Sequence, residues 1–82
     1  MFFVYILYSR SLKKYYVGQT NDLERRLIEH NSGQTIYSSR GIPWELVCQE
    51  EKTSRSDAMQ LEMKIKKRGI GRYLQDRGIK VS

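Results

Sequence analysis

Tyr15-Tyr16-Val17-Gly18-Gln19 decides the fold, and its flanks show what it pairs with. Eleven positions before Tyr16 stands Tyr5, inside Phe3-Val4-Tyr5-Ile6-Leu7; ten positions after it stands Arg26, inside Asp22-Leu23-Glu24-Arg25-Arg26-Leu27. Phe2 to Tyr8 is aromatic and β-branched and too short for a stable amphipathic helix, so it reads as a strand apolar on both faces and central in its sheet. The polar, basic run Ser9 to Lys14 returns the chain into Tyr15 to Gln19, making Phe2 to Gln19 a β-hairpin. Gly18 lets the second strand approach a neighbour closely at its end.

Thr20-Asn21-Asp22 then offers side-chain oxygens to a helix start, and Asn21 with Glu24 has capping-box spacing. The helix is expected from about Asp22 to Asn31, stopping at Ser32-Gly33. Leu23 and Leu27 form its apolar stripe with Ile28 at the margin, and Arg26 and His30, one turn apart, lie beside that stripe. Gln34 to Pro43 has no periodicity and reads as a surface loop. Trp44 to Gln49 is a third strand with Trp44, Leu46 and Cys48 on one side. Ser54-x-x-Asp57 opens a second long helix from about Arg55 to Lys67, with Ala58, Leu61 and Ile65 as its stripe, widened by Met59 and Met63. Glu62 falls at the i+4 place of that stripe, where burial ordinarily selects an aliphatic side chain. The tail Gly69 to Ser82 is expected to hold a short helix around Arg72 to Arg77, loosely packed.

With 82 residues the chain makes one domain with one modest core, hiding about 60–65 per cent of its unfolded surface. Residues 1–68 carry the candidate site, and 69–82 form a basic tail or short helix of the same domain. Fifteen basic against nine acidic side chains give a net charge of +6 and point to an anionic partner. One cysteine excludes an internal disulfide, and one histidine beside it excludes a Cys/His zinc cluster. No run approaches the roughly 20 apolar residues of a membrane span, nor does the N-terminus read as a signal peptide. A reducing, cytoplasmic compartment and no membrane partner are the expectation.

Phosphodiester hydrolysis needs a water able to lose a proton, a positive group for charge growing on the phosphoryl oxygens, and ordinarily a divalent cation on a carboxylate. Arg26 supplies a fork for phosphate oxygens, Glu62 one carboxylate for a hydrated Mg²⁺, and Tyr5 and Tyr16 hydroxyls for the water. A tyrosine near its ordinary pKa of about 10 is a poor base, so Arg26 and the metal are expected to lower it. Singly, each residue has a plainer explanation: strand tyrosines pack, Arg26 pairs with Glu29 or Glu24, His30 faces a helix dipole, and Glu62 pairs with Lys66. Their joint spacing favours the chemistry.

These motifs resemble the GIY-YIG nuclease superfamily. Val4-Tyr5-Ile6 is similar to its first strand motif and Tyr16-Val17-Gly18 to its second, the helix from Thr20 to Asn31 places the family arginine at Arg26 with His30 beyond it, and Ser54 to Glu62 is similar to the glutamate helix. The likeness runs from Phe2 to Lys67 and is strongest to small stand-alone members, sometimes called UvrC-like or URI-domain proteins, for which the segments Tyr37 to Arg40 and Pro43 to Val47 are also familiar. Two positions depart from the pattern: Gln19 stands where the excision-repair branch often has lysine, and Val4 replaces the first motif's glycine.

The resemblance implies an α+β fold, a three-stranded antiparallel sheet flanked by helices in the order β-β-α-β-α, with a short C-terminal helix or tail. It implies a Mg²⁺- or Mn²⁺-dependent DNA endonuclease acting on structured or damaged DNA in repair, with Tyr5, Tyr16, Arg26 and His30 catalytic and Glu62 on the metal. Lys64, Lys66, Lys67, Arg68 and Arg40 are the expected nucleic-acid contacts, and a partner protein the source of specificity. The competing reading keeps the fold without catalysis, as a nucleic-acid-binding or nuclease-recruiting module.

Overall fold

The hairpin expected from the N-terminal twenty residues forms one half of the sheet. In the computed structural model, which describes residues 1–33 and 39–80, β1 (Phe2–Ser9) pairs antiparallel with β2 (Lys14–Thr20), and Tyr5 lies opposite Gly18, Leu7 opposite Tyr16. The Ser9 hydroxyl accepts from the Leu12 amide at 3.2 Å inside the connecting turn. β3 (Trp44–Lys52) adds antiparallel to the other side of β1, giving the order β2-β1-β3 with β1 central. Both β2 and β3 therefore present one unpaired edge.

A bulge in β3 corrects the expected alternation. Cys48 opposes Ile6 but Leu46 opposes Leu7, leaving Val47 as the extra residue. Such an insertion flips every side chain beyond it to the other face of the sheet. Trp44 and Leu46 consequently pack with Tyr5, Leu7, Leu23 and Leu27, whereas Cys48 joins Val4, Ile6 and Val17 on the opposite side.

The two faces are covered by different helices. On one lies α1 (Leu23–Asn31), held through Leu23 and Leu27 although none of its residues is fully buried; Ile28, expected at the stripe's margin, is 64% exposed. Its N-cap is Asp22, whose carboxylate accepts from the Arg25 amide at 3.2 Å, one residue later than the Asn21–Glu24 box. Cap placement follows backbone geometry, and Asp22 has the non-helical backbone a cap requires. At the other end the Asn31 side-chain amide grips the Trp44 backbone, accepting from its N–H at 2.7 Å and donating to its carbonyl at 3.2 Å.

The opposite face carries α2 (Arg55–Arg68), capped by Ser54, and α3 (Ile70–Asp76). Ala58 and Ile65 are buried with Leu61 beside them, as the stripe requires, but Met59 and Met63 are exposed and do not widen it. The loosely packed tail is also overturned. Tyr73 and Leu74 of α3 enter the core, Arg77 and the Tyr73 hydroxyl both bind the Glu50 carboxylate, and Arg68 forks onto Asp76. Burying a side chain such as Leu74 contributes about 1.5–3 kcal/mol, which a frayed tail would forgo.

Of the expected loop, residues 34–38, Tyr37 among them, lie outside the described residues. Gly41 is buried with its backbone against the Trp44 indole, leaving no room for a Cβ.

Candidate active site at the edge of the sheet

Gly18 leaves the space through which the buried Tyr5 brings its hydroxyl to α1. Tyr5 sits on the central strand and is 1% exposed, and its hydroxyl passes over the bare Cα of Gly18 on β2; a Cβ there would stand 2.8 Å from that oxygen. The hydroxyl arrives 3.3 Å from His30 Nε2 on α1. The Arg26 guanidinium, one turn before His30, also lies within interacting distance of the Tyr5 oxygen and is held by Glu29 at 3.3 Å.

Around this contact the rings close into a cluster. The His30 ring centre is 4.8 Å from that of Tyr16 and 6.2 Å from that of Trp44, and Tyr5 lies 6.2 Å from Tyr16. All are tilted or edge-on, the arrangement ring quadrupoles favour. Asn31, by clamping the next strand's first residue, fixes the turn of helix that carries His30. Sequence reading missed that role, because nothing in a helix-end asparagine says which backbone it will bind.

Burial dominates the electrostatics. The Tyr5 hydroxyl is pushed up to about 12, first by desolvation and then by Tyr16, with Arg26 pulling the other way and losing. The expectation that Arg26 would acidify Tyr5 is thus corrected: Tyr5 is a protonated hydrogen-bonding group at neutral pH. His30 is lowered by burial first and by Arg26 second, which keeps its imidazole neutral.

α2 reaches the same region from the far side of the sheet. Arg55, Met59, Glu62 and Lys66 recur at i, i+4, i+7 and i+11, one helical face. The first two line an open cleft of about 350 Å³ with Phe2, Gln19, Thr20, Asn21 and Arg26, and the last stands within electrostatic reach of Tyr16. The cleft therefore opens at the Gln19–Thr20 end of β2, with Arg26 of α1 on one bank and Arg55 and Met59 of α2 on the other. Glu62 lies further along the same face of α2, outside the residues that line the cleft, its side chain 19% exposed and one oxygen 2.8 Å from Lys66 Nζ.

The other sequence-nominated cations are dispersed. Lys66 is on the cleft face, whereas Lys64 lines the opposite flank of α2 with Lys52, Asp57 and Gln60. Arg68 is committed to Asp76, Lys67 is exposed, and Arg40 is exposed with its backbone carbonyl accepting from Ser11 Oγ at 3.1 Å. Among the described residues no three His, Cys, Asp or Glu side chains gather into a metal cage. A single carboxylate without others gathered round it suits a hard cation that keeps most of its own water.

The sequence model of the GIY-YIG catalytic domain matches residues 1–69. The chain belongs to the GIY-YIG family. That is a family of nuclease domains, and the match spans the hairpin, the Arg26–His30 helix and the Glu62 helix. Among GIY-YIG relatives, the UPF0213 protein of Natronomonas pharaonis is 43% identical over 65 residues, covering 78% of this chain and 75% of its own. That of Streptococcus pneumoniae serotype 4 is 34% identical over 67 residues, covering 80% and 67%. The solution NMR structure of a UPF0213 protein from Bacillus halodurans superposes with a TM-score of 0.58 at 31% identity, covering 95% of this chain and 84% of that one. The α+β fold and the membership of a small stand-alone GIY-YIG group expected from the motifs hold. Among the described residues no helix is long and apolar enough to cross a membrane.

Proposed function

We propose that this GIY-YIG chain is a divalent-metal-dependent endonuclease that hydrolyses DNA phosphodiester bonds in the cleft at the end of β2. The observation that carries the reading is the Tyr5 hydroxyl, brought past Gly18 to within 3.3 Å of His30 and into the reach of Arg26. A packing tyrosine has no need of that glycine or of a cation at its oxygen.

In this reading the Arg26 guanidinium binds the scissile phosphate and stabilises the charge that grows on its oxygens. Tyr5, held protonated, works as a relay. Its oxygen takes the proton of the attacking water while its own proton passes to Nε2 of neutral His30, so the ring leaves the step uncharged and the imidazole carries the positive charge. Tyr16, packed against His30, borders the water's position. Glu62 would hold Mg²⁺ or Mn²⁺, which supplies Lewis-acid stabilisation of the phosphoryl and leaving oxygens when bound. Lys66 neutralises Glu62 until a cation takes that place. The open cleft suits structured or damaged DNA, with a partner protein adding specificity. The single free cysteine suits a reducing, cytoplasmic compartment.

The test is nicking of supercoiled plasmid and branched duplexes by purified protein with Mg²⁺ or Mn²⁺, against Glu62→Gln of matched circular dichroism. Loss of product in the variant supports the reading; equal cleavage by both removes it. Binding that weakens steeply with salt, without product at any metal concentration, returns the chain to the binding-module reading.

A further inference from the structure

Arg55 contributes nothing to the reaction described above, yet it lines the cleft that Arg26 enters. It is the first residue of α2, its guanidinium stacks 5.6 Å from the centre of the Phe2 ring, and among the described residues it has no carboxylate partner. Arg68 is paired with Asp76 and Arg77 with Glu50, whereas Arg26 shares the single carboxylate of Glu29 with Arg25 and keeps part of its charge uncompensated. The wall between Arg55 and Arg26 is the polar end of β2 and the turn after it, Gln19, Thr20 and Asn21. Two guanidiniums from elements on opposite faces of the sheet thus meet across a solvent-filled, uncharged floor. Their mutual repulsion is relieved by an anion.

We infer that this cleft is a second phosphate site, with Arg55 gripping a nucleic-acid backbone phosphate removed from the scissile one. The inference rests on the nuclease reading for the direction of the strand. Phe2 holds the guanidinium plane in place, so that little side-chain entropy is lost when a phosphate arrives. Arg26, across the cleft from Arg55, binds the scissile phosphate in the nuclease reading, so Arg55 takes a neighbouring phosphate of the same strand. Arg55 is accordingly a binding and positioning residue that fixes where along the strand the cut falls.

The experiment is fluorescence anisotropy of a labelled duplex with the full chain at a series of salt concentrations, for wild type, Arg55→Gln, Arg55→Lys and a charge-matched control, Lys52→Gln. Lys52 ends β3, the strand at the far side of the sheet from β2. Each phosphate contact adds about 0.9 to the slope of log K against log salt. Arg55→Gln is expected to lower that slope by about 0.9 and to weaken binding about five- to tenfold at low salt, with Arg55→Lys retaining the slope and Lys52→Gln near wild type. Equal losses for Arg55→Gln and Lys52→Gln would mean a general charge effect and overturn the inference, as would a wild-type slope in Arg55→Gln. Because binding is read without cleavage, an Arg55-dependent slope in a protein that yields no product supports the phosphate site while refuting the catalytic reading. A shifted cut position in Arg55→Gln supports both.

Discussion

Replacing Gly18 by alanine should separate activity from stability. The added carbon would stand 2.8 Å from the Tyr5 hydroxyl oxygen and 3.0 Å from Tyr5 Cζ and Tyr16 Cε1, about 0.6 Å inside ordinary contact for the first of these. The tyrosine cannot swing away cheaply, since its ring is 1% exposed between the sheet and α1. Overpacking of this size costs about 1–3 kcal/mol, offset by about 0.5–1 kcal/mol from the lower entropy of an unfolded chain with alanine. The net expectation is about 1–2 kcal/mol, measured by urea unfolding with an unchanged m-value. Activity should fall much further. A shift of about 0.6 Å takes the Tyr5 oxygen out of the 3.3 Å contact with His30 Nε2, and misplacement on that scale costs roughly 10- to 100-fold in rate. The assay is single-turnover nicking under saturating protein. A double-mutant cycle with Tyr5→Phe isolates the cause: with the hydroxyl gone, Gly18→Ala should lose about 0.5–1.5 kcal/mol of its penalty. A Gly18→Ala protein as active as wild type, or one whose penalty ignores the Tyr5→Phe change, would refute the account of Gly18 as the space the hydroxyl needs.

Three further outcomes follow from the same geometry. Because the His30 pKa is lowered in the fold, the unfolded chain takes up a proton at higher pH than the native one, so stability should fall as pH drops below about 6.5; His30→Gln should flatten that dependence in urea midpoints measured from pH 7.5 to 5. Asn31→Ala strips two hydrogen bonds from the Trp44 backbone and should cost about 1–3 kcal/mol, with kcat falling more than KM rises, because the turn bearing His30 loosens while Arg26 keeps its place. Leu74→Ala should cost about 2–5 kcal/mol, lowering Tm by about 10–30 °C at the scaling of a domain this size; a shift below 2 °C would restore the frayed tail expected from sequence.

The hairpin, α1 and α2 were legible because each is specified locally: strand composition around Tyr5 and Tyr16, a polar helix start at Thr20 to Asp22 whose cap falls one residue later than its spacing suggested, a cap at Ser54, and a stripe through Ala58 and Ile65. What escaped was set by distant partners. The bulge at Val47 has no signature in Trp44 to Gln49, and it decides which face Cys48 joins. The tail sequence is basic and glycine-punctuated, and its docking depends on Glu50, 23 residues before Tyr73. The site was legible as a set of residue types but not as chemistry. Spacing brought Tyr5, Arg26 and His30 forward, whereas the competition between burial and Arg26 at the Tyr5 oxygen is visible only in the folded protein.

That competition bears on why such a site sits at a sheet edge. A tyrosine wholly inside the sheet would be fixed but unreachable; one on a loop would be reachable but loosely held. Placing Tyr5 on the central strand fixes its ring, and placing a glycine opposite it on an edge strand lets its oxygen pass across to His30 on α1. The raised pKa is a consequence of that rigidity, because the surroundings that hold the ring also withhold water from a phenolate. Neutral His30, buried enough to stay uncharged and close enough to share the proton, allows a hydroxyl near 12 to take part at neutral pH without ever existing as an anion. On this logic Tyr5→Phe and His30→Gln disable the same proton path, so their combined effect on rate should be close to that of either alone.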